Sequence, residues 1–467
     1  MLPAIIQGGM GVYISTPSLA RSVSRLGGLG TVSGVAAGLI MPRVLQAGDP
    51  GGHCRRALAH FPFPNVAREV LSEYYVPGGI SPGTPYKPVP SVTLTPERLT
   101  IAIVICSNFS FVWLAKEGHQ YPVSINWLEK VQLPHLFSVY GAMLAGVDYV
   151  TMGAGIPLQI PGVLDAYASG QAAEYRVTVT GCANGTMLMR FDPREYFGQS
   201  GPSLKRPSFL PIVSADGLAS LMMKKVPGGL QGFVVEGPTA GGHNAPPRGQ
   251  YDLNDLGEPI YGPRDTPDFS KLLALGVPFW IGGSYASPAG LAAALSLGAQ
   301  GIQVGSIFAL SQGSGLDPRH RREIIRHWWH EQLVVRTDAQ ASPTGYPFKV
   351  VQLPGTVAKK TVYQARPRRC DLHCLATPHQ LAAGEIVYRC PAEPVQIYQR
   401  KEGRVEDTID ARCLCNGLLA TAMLGTPHEP PIVTLGDDVS FLRHLTTGEN
   451  DAYSVAQAME YLLGPVR

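Results

Sequence analysis

Pro278-Phe-Trp-Ile-Gly-Gly-Ser284, followed seventeen residues later by Gly301-Ile-Gln-Val-Gly-Ser306, decides the fold. Each segment is a short, largely apolar run that leads into glycine, the pattern of a strand buried on both faces of a parallel sheet. The first runs into a helical stretch and the second into a short segment before another helix. Glycine lets backbone N–H groups approach an oxyanion closely, and a helix N-terminus adds a favourable partial charge. Two consecutive late strands with such ends fit the phosphate site that follows strands seven and eight of a (β/α)₈ barrel. Gly282, Gly283, Gln303, Val304, Gly305 and Ser306 are therefore candidate cofactor contacts, the alternative being tight strand–helix turns without chemistry.

Outward from this pair, similar runs recur at Ala4–Gln7, Leu29–Ser33, Ile101–Cys106, Val123–Ile125, Tyr149–Met152, Arg176–Thr180, Leu210–Ser214 and Phe233–Glu236. Stretches of helical periodicity separate several of them, which predicts an α/β fold with a covered parallel sheet. The count is two more than a barrel needs, and Ile101–Cys106 and Arg176–Thr180 are assigned to excursions. An open doubly wound sheet is the rival. The barrel is favoured because a strand begins close to residue 1 and glycines recur just past the strand ends, where a barrel gathers its active-site mouth. Residues 1–335 are read as the barrel, with a Pro/Gly-rich inserted loop at about 48–96. Residues 336–467 are read as a C-terminal extension carrying a cysteine cluster and a final helix, Ser454–Leu463.

The 467 residues are 45% hydrophobic and 16% charged with a formal charge of +3, which suits a globular enzyme and argues against a nucleic-acid partner. No charged leader with an apolar stretch is present, and the apolar runs are shorter than the roughly 20 residues that span a bilayer. A cytoplasmic location, a small-molecule substrate and no membrane partner are the expectations, with homo-oligomerisation left open. Eight cysteines in such a chain do not suggest a disulfide framework.

Phe233-Val-Val-Glu-Gly-Pro-Thr-Ala-Gly-Gly-His243-Asn244 ends an apolar strand in a glycine-rich loop with a single histidine. A neutral imidazole at the barrel mouth accepts a proton near neutral pH, which makes His243 the candidate catalytic base. Gly241 and Gly242 let a flat group pack against the backbone. Gln7-Gly-Gly-Met-Gly11, at the end of the first strand, opens no dinucleotide-binding unit with a suitably spaced acid. Gln7, Gly8, Gly9 and Met10 are better read as backbone lining a flat cofactor. Asp148, Asp216, Glu236 and Asp265 fall near strand ends or in loops, with helix capping or surface charge as the plainer role. Lys130 is a candidate cation.

Ile5-Ile-Gln-Gly-Gly-Met-Gly11, Val123-Ser-Ile-Asn-Trp-Leu-Glu-Lys130, Ala240-Gly-Gly-His243, Trp280-Ile-Gly-Gly283 and Gln303-Val-Gly-Ser306, in this order, resemble the nitronate monooxygenase (2-nitropropane dioxygenase-like) family over about residues 1–335. The resemblance implies a TIM barrel that binds FMN non-covalently and oxidises alkyl nitronates with O₂ to a carbonyl compound and nitrite. It implies that Asn126 touches the flavin, that Gly283 and Gln303–Ser306 hold its phosphate, and that His243 is the base. The continuation Asn244-Ala-Pro-Pro247 and the chain's extra length depart from the family. The barrel is similar also to the trans-acting, NAD(P)H-dependent enoyl reductases of polyketide and fatty-acid synthases, so the cofactor is better supported than the substrate.

The extension holds Cys370-Asp-Leu-His-Cys374, Cys390 and Cys413-Leu-Cys415. Soft thiolates at these spacings are candidate ligands for an iron–sulfur cluster or zinc, with His373 as a substitute ligand, and metal-free thiols are the alternative. A non-catalytic barrel that carries metal in its extension is the remaining reading of the chain.

Overall fold

The computed structural model describes residues 2–226, 229–426 and 429–464. Eight strands are Ile5–Gln7, Gly30–Ser33, Val123–Leu128, Tyr149–Gly153, Ser208–Val213, Phe233–Glu236, Phe279–Gly282 and Gly301–Val304. All their pairings are parallel, and the spatial order runs 1-8-7-6-5-4-3-2 in chain numbering of these eight. Leu29 closes the ring: Gln7 N–H donates to Leu29 O at 3.0 Å and Leu29 N–H to Ile5 O at 2.9 Å. The sheet is therefore a barrel and not an open sheet.

Side chains alternate across each strand. Ile6, Leu29, Leu210, Val234 and Trp280 point inward and form one interior cluster, which makes the barrel a packed core rather than a pore. The Trp280 indole N–H reaches Pro3 O at 2.8 Å. Ile5, Val32, Val235 and Ile302 face outward into the larger core beneath the helices.

Both demoted segments lie off the barrel. Ile101–Cys106 is the start of the 19-residue helix Arg98–Lys116. Its β-branched residues suggest a strand over a short window, but the apolar run continues without Gly or Pro far beyond strand length, and length arbitrates. This helix is long and apolar enough to cross a membrane; here it is mostly buried within the chain. It packs against helices Pro17–Arg25, Ala37–Gln46 and His135–Leu144. Arg176–Thr180 overlaps an antiparallel hairpin, Ala173–Thr178 with Thr186–Phe191, whose first strand alternates buried and exposed residues. The inserted loop contains helices His53–Leu58 and Pro64–Tyr74 before an irregular stretch.

The extension opens with the hairpin Val335–Asp338 and Phe348–Val351. It ends in the helix Val455–Leu463, started by a Ser454/Gln457 capping box and packed on helices Pro17–Arg25 and Pro288–Ser296. Val351, Leu419, Ile432, Phe441 and Met459 belong to the same buried cluster as Ile5, Val32 and Ile302. Extension and barrel thus bury one continuous apolar surface.

Candidate active site

The C-terminal ends of the strands open into a cavity with about 210 Å³ of solvent-accessible space. Gly8, Gly9 and Met10 line it from the first strand, Asn126 from the third, Gly241, Gly242 and His243 from the sixth, Gly283 from the seventh, and Gln303, Val304, Gly305 and Ser306 from the eighth. Twelve of the fourteen residues singled out in the sequence at the mouth therefore meet in one place.

The other two do not line it, which corrects the sequence reading. The Gln7 side chain is fully buried. Its Nε2 donates to Ser15 Oγ at 2.7 Å and to Thr31 O at 2.9 Å, while its Oε1 accepts from Thr31 N–H at 3.2 Å. It ties the first strand to the second at the barrel seam. Gly282 is still strand, and its carbonyl accepts from Gly237 N–H at 3.1 Å.

The glycines are there for close approach. A Cβ on Gly9 would sit 2.1 Å from Asn126 Cβ, so only glycine lets the first strand's end lie against the Asn126 side chain. That side chain is held by a 3.3 Å bond from Nδ2 to Thr151 O. Gly283 has φ +97°, and a Cβ there would lie 2.9 Å from Thr239 Oγ1. Without a side chain its backbone packs against the 237–240 loop while lining the cavity.

His243 is half-buried. Its Nε2 lies 2.7 Å from Ser342 Oγ, which in turn contacts Thr344 Oγ1 at 2.8 Å. Phe348 packs edge-on against the ring at a 4.8 Å centroid distance. Burial pushes its pKa down to about 4, so the imidazole is neutral at neutral pH. Glu236, at the end of the sixth strand, lines the same cavity and an adjoining one shared with His243, Arg248, Tyr261 and Tyr346. Desolvation pushes its carboxyl up to about 7. A carboxyl at an apolar strand end carries no sequence mark that separates it from a surface charge, so its importance appears only with the burial.

The extension completes the site, which the sequence reading does not anticipate. Lys349 N–H donates to Gly242 O at 2.9 Å and Asn244 N–H to Pro347 O at 2.9 Å, pairing the Phe348–Val351 strand with the histidine loop. Gly242 N–H donates to Thr434 Oγ1 at 2.9 Å. Asp437 N–H donates to Thr239 O at 3.0 Å, and Gly436 N–H to Ser306 Oγ at 2.9 Å. Thr434, Leu435 and Gly436 thus form a wall of the cavity. The only hint is Val433-Thr-Leu-Gly-Asp-Asp438, one more apolar run that ends in glycine.

The remaining candidates have structural partners. Asp148 pairs with Lys116 at 2.5 Å and accepts from Val123 N–H. Asp216 is near Lys271 at 3.7 Å, and Asp265 accepts from Arg248 N–H at 2.8 Å. Lys130 stacks its ammonium 5.5 Å from the Tyr346 ring and lines a second, mostly apolar cavity of about 420 Å³, walled also by Val35, Leu39, Ile103, Leu133 and Leu375. Val35 borders both cavities. In the extension, no three or more His, Cys, Asp or Glu among the described residues converge on the position of a single metal ion. A closed zinc site from Cys370, Cys374, Cys390, Cys413 and Cys415 is thereby corrected.

The nitronate monooxygenase family profile matches residues 209–346, from the fifth strand through the eighth to the start of the extension. A probable nitronate monooxygenase of Bacillus subtilis (strain 168) is 37% identical over 98 residues, which cover 21% of this chain and 26% of that protein. The match therefore spans about a quarter of the relative's length. FabK from Thermotoga maritima aligns with a TM-score of 0.48 at 16% identity, over 99% of this chain and 91% of that one. A nitroalkane oxidase from Streptomyces ansochromogenes aligns with a TM-score of 0.46 at 13% identity, over 98% and 94%.

Proposed function

We propose, from the match of residues 209–346 to the nitronate monooxygenase family profile, that the chain is an FMN-dependent oxidoreductase working at the barrel mouth. The observation that carries this is the convergence of bare glycine backbone from the first, seventh and eighth strands, Asn126 and His243 on one cavity. Gly283 and Gln303–Ser306 would hold the flavin phosphate, and Gly8–Met10, Asn126 and Gly241–Gly242 would flank the ring. Bound there, FMN supplies the electron-transfer chemistry, and the protein supplies position and electrostatics.

The substrate reading is an alkyl nitronate, oxidised with O₂ to a carbonyl compound and nitrite. His243 and Glu236 are the proton acceptors for a neutral nitroalkane. When Ser342 Oγ accepts from Nε2–H and donates to Thr344 Oγ1, the lone pair on His243 Nδ1 is free to take a proton. Glu236, with its pKa near 7, matches the working range of a general base. Phe348 packs on the His243 ring, and Thr434–Gly436 wall the cavity that both groups line.

The large apolar cavity beyond Val35 favours a second reading, an NAD(P)H-dependent reduction of a C=C bond in a substrate with a long apolar tail. Anaerobic mixing of the flavin-loaded protein with NADPH separates the two. Rapid bleaching of the flavin supports the reductase; a flavin that stays oxidised with NADPH but bleaches with an alkyl nitronate supports the monooxygenase. A protein that takes up no FMN sinks both.

A further inference from the structure

Five of the eight cysteines are gathered in one place, away from the barrel mouth. They come from three segments: the stretch before strand Thr377–Gln380 (Cys370, Cys374), the residue after strand Ile386–Arg389 (Cys390), and the start of helix Leu414–Thr421 (Cys413, Cys415). Cys370 faces Cys390 and His373, and Cys415 faces both Cys374 and Cys413. All are free thiols. They form a small cluster of their own with Ala376, Ala392 and Ala411, in which Cys390, Cys413 and Cys415 are buried.

Packing does not account for this. Ala376, Ala392 and Ala411 are small, and the larger apolar side chains that join them, Leu372, Leu375 and Tyr388, are only partly buried. The chain's other cysteines, Cys54, Cys106 and Cys182, belong to no such group. Five thiols facing one another are instead the donor set of a soft metal centre. Zinc requires four ligands closing on one point at about 2.3 Å, and the described residues form no such single-ion group. An iron–sulfur cluster places its thiolates on different irons, so its cysteines stand around a core and need not converge on a point.

We propose that Cys370, Cys374, Cys390 and the Cys413–Cys415 pair hold an iron–sulfur cluster, four of the five serving as ligands. The surroundings suit one. Asn416 Nδ2 donates to Cys413 Sγ at 3.6 Å and His373 Nδ1 lies 3.7 Å from Cys370 Sγ, the kind of polar contact to sulfur that tunes such clusters. His373 and Cys374 also line the apolar cavity that Val35 shares with the mouth cavity, so the cluster borders the proposed substrate region.

The test is assay of iron, acid-labile sulfide and zinc in the full-length protein purified anaerobically, then reconstituted with ferrous iron and sulfide. Iron and sulfide in equal amounts, at two or more per chain, are expected, with broad visible absorbance beyond the flavin bands. Cys370→Ala/Cys390→Ala should lose both while Cys182→Ala keeps them, a cooperative thermal melt by circular dichroism serving as the check on folding. Should the double variant not fold, the wild-type assay decides by itself. Folded wild-type protein without iron or sulfide after reconstitution overturns the proposal, and so does one equivalent of zinc in their place. The readout does not depend on whether the barrel binds FMN.

Discussion

Replacing Gly283 by alanine puts the phosphate cradle to the test at a single methyl group. Gly283 has φ +97°, and an added Cβ would lie 2.9 Å from Thr239 Oγ1 and 3.3 Å from Ala240 N and Gly237 O. The backbone conformation alone costs a non-glycine residue about 1–3 kcal/mol. The contact pushes on the loop that carries His243 and moves the Gly283 N–H away from the phosphate. Losing one charge-assisted hydrogen bond costs about 1.5–3 kcal/mol, which at about 1.4 kcal/mol per decade raises the FMN Kd by roughly 10- to 100-fold. Gly257→Ala is the control, since Gly257 has φ +76° with nothing within 4 Å of its added Cβ. Both variants pay backbone strain, and only Gly283→Ala should lose affinity. FMN fluorescence quenching gives the Kd, and melting with and without FMN gives the linkage. Ligand at 100 times Kd stabilises by about 2.7 kcal/mol, and a tenfold weaker variant keeps about half of that at the same concentration. A folded Gly283→Ala that binds FMN with wild-type affinity refutes the cradle.

Glu236 and His243 predict opposing pH dependences. The Glu236 pKa is raised to about 7, so its contribution to stability is complete below about 4.3, the unfolded value, and is lost as pH rises through 7. Glu236→Gln should therefore flatten the fall in stability between pH 5 and 8, and, if the carboxylate is the base, remove the rising limb of kcat/KM near pH 7. The His243 pKa is lowered to about 4, so the unfolded chain binds the extra proton and stability falls as pH drops from about 6.5 to 4. Urea midpoints of His243→Ala across that range should lack this slope, and turnover of neutral nitroalkanes should fall by about 100-fold or more with FMN uptake intact. Asp437→Asn leaves the buried Lys349 ammonium, now 2.7 Å from Asp437 Oδ2, without its carboxylate. A loss of about 1–3 kcal/mol and weaker FMN binding are expected, and unchanged melting and Kd would show that this pair does not hold the wall. A chain cut after residue 335 loses Phe348, Thr434 and Leu435 from the cavity wall and bares the barrel's outer core. It should aggregate or fail to retain FMN, and a monodisperse, flavin-loaded fragment would contradict the shared core.

Much of this was local enough to be legible in the chain. Six of the eight barrel strands stand out as short, mostly apolar runs stopped by glycine, because a strand buried on both faces needs no polar alternation and its end must turn sharply. For the same reason Gly8, Gly9, Gly241, Gly242, Gly283 and Gly305 mark the mouth before any coordinates are considered: close approach of backbone to ligand excludes a Cβ wherever it occurs. Ile101–Cys106 was ambiguous because six β-branched and apolar residues satisfy a strand as well as a buried helix, and only the unbroken run to Lys116 separates them.

What required the tertiary structure were relations between residues far apart in sequence. Gln7 looked like a cofactor contact beside Gly8, but strand pleating turns it into the seam, where Ser15 and Thr31 satisfy it. The desolvation that moves Glu236 and His243 in opposite directions is a sum over neighbours from several strands, so no local pattern encodes it. The wall at Thr434–Gly436 reaches the His243 loop across almost two hundred residues through hydrogen bonds whose backbone donors and acceptors every residue type supplies. Sequence therefore determined the barrel and the kind of surface at its mouth, through chain stiffness and glycine's missing side chain. Which groups are buried there, and at what pKa, was decided by packing alone.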